Sequence, residues 1–193
     1  MFKFKAITVV AAIAFMSFAV PFAGVWKNDN AHSRFGFGVT HMGIATFNGS
    51  FKDYNLTINA PGDDFDNATV ELTAELKSIN TDNERRDQHL QSPDFFDAAK
   101  YPQLTFKSTS FKKVADKKYK VEGDLTLHGV TKKVSLDAVL VGTAVHPQSK
   151  KDMAGFKVTG TFKRSDFGIA PGFPAAMLSD EVAINGDFEF AKQ

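Results

Sequence analysis

Apolar and polar residues alternate along most of the chain with the two-residue period of a β-strand. This alternation predicts eight strands, separated by segments that are rich in Gly, Pro, Asp and Asn. Short turns such as 42–43 and 128–131 join several of them, so consecutive strands are expected to pair as an antiparallel meander. The predicted strands span residues 33–41, 45–58, 68–77, 103–111, 118–127, 133–142, 156–163 and 182–190.

Two places interrupt the alternation. The apolar phase of the second strand shifts between Phe51 and Tyr54, which predicts a bulge or bend at residues 52–53. Residues 83–91, NERRDQHLQ, have the composition of a short helix, and the Ser-Pro pair after them suits the start of a further short turn. The chain therefore predicts an all-β fold, an eight-stranded antiparallel lipocalin-like barrel with a short helical crossover between strands 3 and 4, because closure leaves no open sheet edge. A two-sheet sandwich is the alternative.

The inward-facing positions of five predicted strands include a glycine beside large apolar residues. A closed barrel of about eight strands is either filled by side chains or holds one small ligand. The glycines favour an apolar tunnel, and the alternative is that they relieve strain where strands bend. From the alternation, the residues expected to line the tunnel and contact a ligand are Phe35, Phe37, Phe47, Gly49, Phe51, Leu72, Leu76, Phe106, Leu125, Leu136, Gly160, Phe162, Gly186 and Phe188.

This predicted lining offers almost no polar group that would orient a substrate. Such a surface suits a long hydrocarbon, whose affinity comes from buried apolar area at roughly 25 cal/mol per Å² and not from directional contacts. The polar end of the ligand is then expected at the mouth of the tunnel.

The N-terminus has the layout of a secretory signal peptide. Two lysines in MFKFK precede an apolar run over residues 6–20, which stops at Pro21. The run is shorter than the roughly 20 residues that a spanning helix needs, so an uncleaved membrane anchor is the less favoured alternative. We expect a signal peptide over residues 1–23, cleaved within 19–24, a single barrel domain over 24–193, a periplasmic location and no integral membrane segment after cleavage.

Charge argues against nucleic acid as a partner, and the cysteine content argues against disulfides. The formal charge of +1 falls to about −1 when Lys3 and Lys5 are removed with the signal peptide. A near-neutral protein has no general attraction for nucleic acid, and none is expected as a partner. The chain has no cysteine, which excludes a disulfide framework. Its 20 phenylalanines against one Trp and three Tyr supply much apolar surface without a polar group.

Motifs for catalysis or cofactor binding are not found in the sequence. The five histidines are scattered singly, and there is no nucleophile elbow, phosphate-binding glycine loop or dinucleotide fingerprint. Asp87 and His89 lie two residues apart beside Arg85 and Arg86, but charged residues on a short surface helix are usually only solvated. No catalytic residue, metal site or cofactor is therefore predicted.

Seven phrases, in order along the mature chain, resemble one known family. They are WKNDNAHSRFGFGVTHMG at 26–43, FNGSF at 47–51, SINT at 78–81, DQHL with SPDFFD at 87–97, YP with FKST at 101–109, GDLTLHGVTK at 123–132 and RSDFGI at 164–169. The family is that of the YceI-like polyisoprenoid-binding proteins of bacteria. The resemblance implies an extended eight-stranded antiparallel barrel, exported to the periplasm in many members, with a long pore for an isoprenoid chain or a similar amphiphile and with no catalytic residues.

The resemblance also implies a role for residues 87–101, which cross between two strands. In such a barrel Phe95 and Phe96 turn inward while Asp94, Asp97 and Lys100 stay in water, either to contact the ligand or to plug the core. The expected function is binding of a long-chain isoprenoid or similar lipid for carriage, storage or sequestration. The alternatives are an enzyme that acts on an isoprenoid or quinone with residues such as His89 and Arg164, and a packed structural or stress-response barrel. A homodimer is left open.

Overall fold

The computed structural model describes residues 24–193, so the predicted signal peptide lies outside the described residues. Within that range the chain forms eleven strands, one α-helix and two short 3-10 helices. The 3-10 helices span Leu76–Ser78 and Arg164–Phe167, and α1 spans Glu84–Gln91. The strands are β1 (Gly24–Asn28), β2 (Arg34–His41), β3 (Ala45–Phe51), β4 (Tyr54–Ala60), β5 (Thr69–Glu75), β6 (Ile79–Asn80), β7 (Gln103–Ala115), β8 (Lys118–Leu127), β9 (Val130–Val145), β10 (Asp152–Lys163) and β11 (Leu178–Lys192).

These strands form one closed antiparallel barrel. Hydrogen bonds run around the ring in the order β1-β4-β5-β7-β8-β9-β10-β11, and β11 pairs back onto β1. The first part of β11 pairs with β2, which continues the sheet through β3 to β6. Since β1 with β2, β3 with β4 and β5 with β6 are interrupted halves of single long strands, the barrel has eight strands. This confirms the predicted barrel and excludes the sandwich.

The interruptions have different origins. Between β3 and β4 the break falls at residues 52–53, as the shift of apolar phase predicts. The alternation missed β1, because its five residues include a single buried side chain, Trp26, and so carry almost no periodicity. β7, β9, β10 and β11 extend beyond their predicted ends.

Two of the hairpins have turns of the expected kind. Met42 and Gly43 have φ angles of 54° and 71°, and His128 and Gly129 have φ angles of 53° and 73°. Two consecutive residues with positive φ make a type I′ turn, whose twist matches that of the flanking strands. These turns hold the β2–β3 and β8–β9 hairpins in register.

The helix α1 forms at the predicted place, between β6 and β7. Its N-cap is Asn83, whose side-chain oxygen accepts a hydrogen bond from the backbone N–H of Arg86 at 3.0 Å. The turn after the helix begins at Ser92, where the hydroxyl accepts a hydrogen bond from the N–H of Asp94. Among residues 24–193 no helix has the length and apolar character needed to cross a membrane.

Aromatic side chains close one end of the barrel. Phe65, in the loop between β4 and β5, is fully buried and lies 5.1 Å from the Trp26 ring and 5.0 Å from the Phe156 ring. Tyr119 packs against Phe111 and donates its hydroxyl hydrogen to the carbonyl of Asp64 at 2.6 Å. We call these residues, together with Phe190, the closed end.

Candidate ligand-binding cavity

An apolar cavity of about 350 Å³ occupies the half of the barrel away from the closed end. Its wall comes from β2, β3, β7, β8, β10 and β11, together with Thr81, α1, residues 95–96, Arg164 and the loop 169–177. The volume falls within the range of small-molecule sites, roughly 300–1,000 Å³. Phe47 and Met177, which belong to the wall, are 37% and 49% exposed, so the cavity opens to solvent beside them. We call this opening the mouth.

A second, smaller cavity of about 80 Å³ lies deeper in the barrel. It shares Phe35, Leu125 and Ile184 with the first cavity, so these three side chains form the constriction between the two spaces. Its other end reaches Phe111 and Phe156 of the closed end. The two cavities therefore run in line from the mouth towards the closed end, and an extended chain is the shape that they fit.

The polar groups of the larger cavity gather at its mouth. Arg86 of α1 donates from Nε to the Thr81 hydroxyl at 2.8 Å and from Nη2 to the Thr81 carbonyl at 2.6 Å. Asp87 accepts a hydrogen bond from the N–H of Thr81 at 2.9 Å. The Arg86 guanidinium lies 4.9 Å above the Phe47 ring, which in turn contacts His41 edge to face. A fixed cation thus stands where the apolar wall meets water.

His89 is a further polar group of the mouth. Its ring packs edge to face on Phe95 at 4.9 Å, and its Nε2 lies 3.2 Å from a carboxylate oxygen of Asp94. Phe95 stacks on Phe173 of the opposite loop at 5.1 Å. The segment after α1 and the loop 169–177 therefore meet across the mouth.

Arg164 holds that loop in place. The side chain is only 6% exposed, and all five of its N–H donors point at backbone carbonyls. Nε donates to Ser179, Nη1 to Ile169 and Ala170, and Nη2 to Phe173 and Leu178, over distances of 2.5–3.2 Å. Its role in the described structure is therefore to fix the backbone of the loop that forms one side of the mouth.

A carboxylate beside this loop is anchored as well. Asp180 accepts hydrogen bonds from the hydroxyl of Ser165 at 2.8 Å and from its N–H at 3.0 Å. The hydrogen bond from the Ser165 hydroxyl, with smaller help from the backbone N–H and the charge of Arg164, lowers the pKa of Asp180. The 3-10 helix that precedes the loop is thus tied to the start of β11.

Comparison with known proteins shows the family to which this barrel belongs. The family model of the YceI-like domain matches residues 26–190. The chain belongs to the YceI-like family. It is 41% identical to the protein YceI of Escherichia coli O157:H7 over 161 residues, 81% of each chain. The crystal structure of the Campylobacter jejuni YCEI protein is 36% identical, with a TM-score of 0.73 over 80% of this chain and 90% of that one.

A more distant neighbour of this YceI-like protein is a polyisoprenoid-binding domain from Saccharophagus degradans. The superposition covers 90% of this chain and 100% of the Saccharophagus degradans domain, with a TM-score of 0.64 and 17% sequence identity. At that identity the likeness shows that the two proteins share a fold.

Most of the ligand contacts predicted for the YceI-like chain lie on the cavity walls. Four line the deeper cavity alone, two lie at or beside the constriction, and the remainder line the larger cavity. The predicted residues found on the walls are Phe35, Phe37, Phe47, Phe51, Leu72, Phe95, Phe96, Phe106, Leu125, Leu136, Phe162 and Phe188.

Four predicted contacts lie elsewhere. Leu76 is fully buried in the 3-10 helix after β5 and lines neither cavity. The expectation that glycines leave open space in the tunnel is wrong at Gly49, Gly160 and Gly186. A Cβ at Gly49 would collide with the Phe37 ring, one at Gly186 with the Phe188 ring, and one at Gly160 would lie 2.5 Å from a methyl of Leu136. Side chains of the same or adjacent strands already cover these glycines, so they serve close packing.

The sequence reasoning missed the far side of the mouth. Ile169, Phe173 and Met177 line the larger cavity, yet the loop 169–177 has no strand or helix period that would have indicated an inward face. The sequence also does not indicate that Arg86 lies at the mouth, because nothing in a single sequence places α1 over β3.

A group of possible metal ligands was also missed. The carboxylates of Asp29 and Glu189 and the imidazole of His32 all lie within 4.8 Å of one another at the bend between β1 and β2. Asp29 accepts from His32 at 2.8 Å, and this contact lowers the pKa of Asp29 and raises that of His32. The sequence does not reveal this group, because Glu189 lies 157 residues after His32 and meets it only in the folded barrel.

Proposed function

We propose that this protein binds one long-chain isoprenoid or similar amphiphilic lipid. The hydrocarbon would occupy the two aligned cavities, and its polar end would lie at the mouth beside His41, Arg86 and His89. The observation that carries this proposal is an apolar space, closed by aromatic rings at one end, whose polar groups gather at the other. Carriage, storage or sequestration of the lipid in the periplasm would follow from such binding.

The physical basis of affinity supports a lipid over a polar metabolite. Each Å² of apolar surface that leaves water contributes roughly 25 cal/mol, and the walls offer few hydrogen-bonding groups that would select a particular polar ligand. Length and cross-section would therefore govern selectivity. The Saccharophagus degradans domain with this fold is described as polyisoprenoid-binding, which favours a branched isoprenoid chain by analogy.

The hydrogen bonds of Arg164 and His89, the two candidate catalytic residues, favour binding over catalysis. The N–H donors of Arg164 are all taken by carbonyls, and the imidazole of His89 is paired with Asp94 at the surface. Neither group is directed at a reacting atom inside the cavity.

The proposed periplasmic location rests on the N-terminal pattern of residues 1–23. The mature chain is expected to begin between residues 20 and 27, and N-terminal sequencing of the exported protein tests this. Recovery of the intact N-terminus from a membrane pellet would refute it.

The binding proposal is tested with a matched pair of variants. Val39 lies on the wall of the larger cavity, whereas Val141 lies on the outside of β9 and is 56% exposed. Titration with a polyprenol should give one site per chain in the wild type and in Val141→Trp, and affinity lower by about tenfold or more in Val39→Trp, because the indole fills the space of the chain. Equal affinity in all three proteins would refute binding in this cavity.

A further inference from the structure

Two neighbouring loops at the mouth carry no charged side chain. They are residues 42–47, MGIATF, which are the β2–β3 turn with the first three residues of β3, and residues 171–177, PGFPAAM, in a chain in which 23% of residues are charged. The N–H of Met42 donates to the carbonyl of Met177 at 2.9 Å, so the loops lie side by side. We call these two loops the apolar rim.

The apolar rim is exposed. Ile44 is 83% exposed, Met42 57%, Met177 49% and Phe47 37%. Nine large apolar side chains are exposed on residues 24–193, and four of them lie on these two loops. Exposed apolar residues scattered singly need no explanation, but a contiguous patch marks an interaction surface.

The apolar rim is continuous with the apolar cavity. Phe47 and Met177 belong both to the apolar rim and to the cavity wall, and the Arg86 guanidinium lies over the Phe47 ring. A hydrocarbon that left a bilayer for the cavity would cross water unless the rim itself touched the bilayer. The Arg86 guanidinium lies directly beside the rim, over Phe47, and a cation next to an apolar membrane-facing surface is attracted by anionic lipid headgroups.

We propose that the apolar rim docks this protein on a lipid bilayer, mouth first, so that its ligand passes directly between membrane and cavity. This proposal rests on the proposed lipid binding. A bilayer fits the surface better than a protein partner because, of the thirteen rim residues, only Thr46 has a hydroxyl or amide side chain that can form an ordinary hydrogen bond. Protein interfaces carry about one hydrogen bond per 100–200 Å², whereas the interior of a bilayer offers none and requires none.

Single cysteines provide the test, since the chain has none of its own. Ile44→Cys and Ala176→Cys report on the two loops of the rim and leave the cavity wall unchanged. Val114→Cys is the control, because Val114 is 64% exposed on the hairpin next to Phe111 of the closed end. Each is labelled with an environment-sensitive nitrobenzoxadiazole dye and mixed with vesicles of phosphatidylethanolamine and phosphatidylglycerol. Dye emission should rise at positions 44 and 176 and stay unchanged at 114.

The matched charge variants measure the strength of docking. Ile44→Asp should lower the vesicle partition coefficient about tenfold or more, and Val114→Asp should leave it unchanged. Equal dye responses at all three positions, or none, would overturn the proposal. A response at positions 44 and 176 that grows with protein concentration in the absence of vesicles would assign the rim to a second copy of the chain and also overturn it.

The polyprenol titration separates this proposal from the proposed function. Polyprenol binding without a vesicle response would refute docking alone. A vesicle response in a protein that binds no polyprenol would refute the proposed cargo and leave docking in place. Ile44→Asp should bind polyprenol in detergent solution as the wild type does, because Ile44 does not line the cavity.

Discussion

At the scale of single residues, the buried charge of Arg164 shows how the mouth is built. A guanidinium is costly to bury, and this one is compensated by five carbonyl oxygens of one loop and the following strand. The loop backbone in turn lacks regular secondary structure and needs those donors for its own carbonyls. The two requirements are met together, so loop and arginine depend on each other.

Arg164→Lys is expected to destabilise the fold by roughly 3 kcal/mol, because an ammonium has three donors and cannot reach all five carbonyls. Urea unfolding measures the loss, and Arg85→Lys on the exposed face of α1 is the control with an expected change near zero. An unfolding midpoint for Arg164→Lys equal to that of the wild type would contradict this role.

The contact between Asp29 and His32 predicts a titration. The carboxylate raises the pKa of His32 above its usual 6.5, mainly through the hydrogen bond. A raised histidine pKa contributes stability that is present below pH 6.5 and is lost as the pH rises through the raised value. The lowered pKa of Asp29 contributes stability that is present above pH 3.8 and is lost as the pH falls through the lowered value. NMR titration of the His32 ring should give a pKa above 6.5 that falls in Asp29→Asn. An unchanged pKa in that variant would contradict the pairing.

At the scale of elements, a strand or a residue role could be predicted where the residues that determine it are neighbours in the sequence. Most of the barrel strands could be predicted because they bury one face and alternate visibly, as Val121, Leu125 and Leu127 do in β8. β1 could not, although it closes the barrel between β4 and β11, since its short length hides the period. The role of the glycines also could not be predicted, because it depends on which neighbouring ring folds over each one.

The rings over the glycines change the expected effect of filling them. Gly186→Leu should lower the free energy of unfolding by about 1–3 kcal/mol, because its side chain must displace the Phe188 ring. Gly142→Leu is the matched control, since a Cβ there meets nothing within 4 Å. Thermal unfolding of the two variants measures this difference. A larger loss of stability in Gly142→Leu than in Gly186→Leu would contradict the packing role of Gly186.

At the scale of the whole molecule, the barrel is polarised. Aromatic rings close one end, two cavities follow in line, and charged, imidazole and exposed apolar groups meet at the other end. The wall was predictable because it repeats with the strands. The mouth was not, because residues 86–96 and 169–177 come together only through the closure of the ring.

The central claim, that the cavity holds a long-chain lipid, is tested most directly by native mass spectrometry of the protein purified from its own host without added lipid. The wild type and Val141→Trp should carry one bound molecule that is lost on organic extraction and identified as a long-chain isoprenoid or similar amphiphile. Val39→Trp should be recovered at the mass of the bare chain. A wild-type protein that is recovered bare, or a Val39→Trp variant that carries the same lipid in the same amount, would contradict the account.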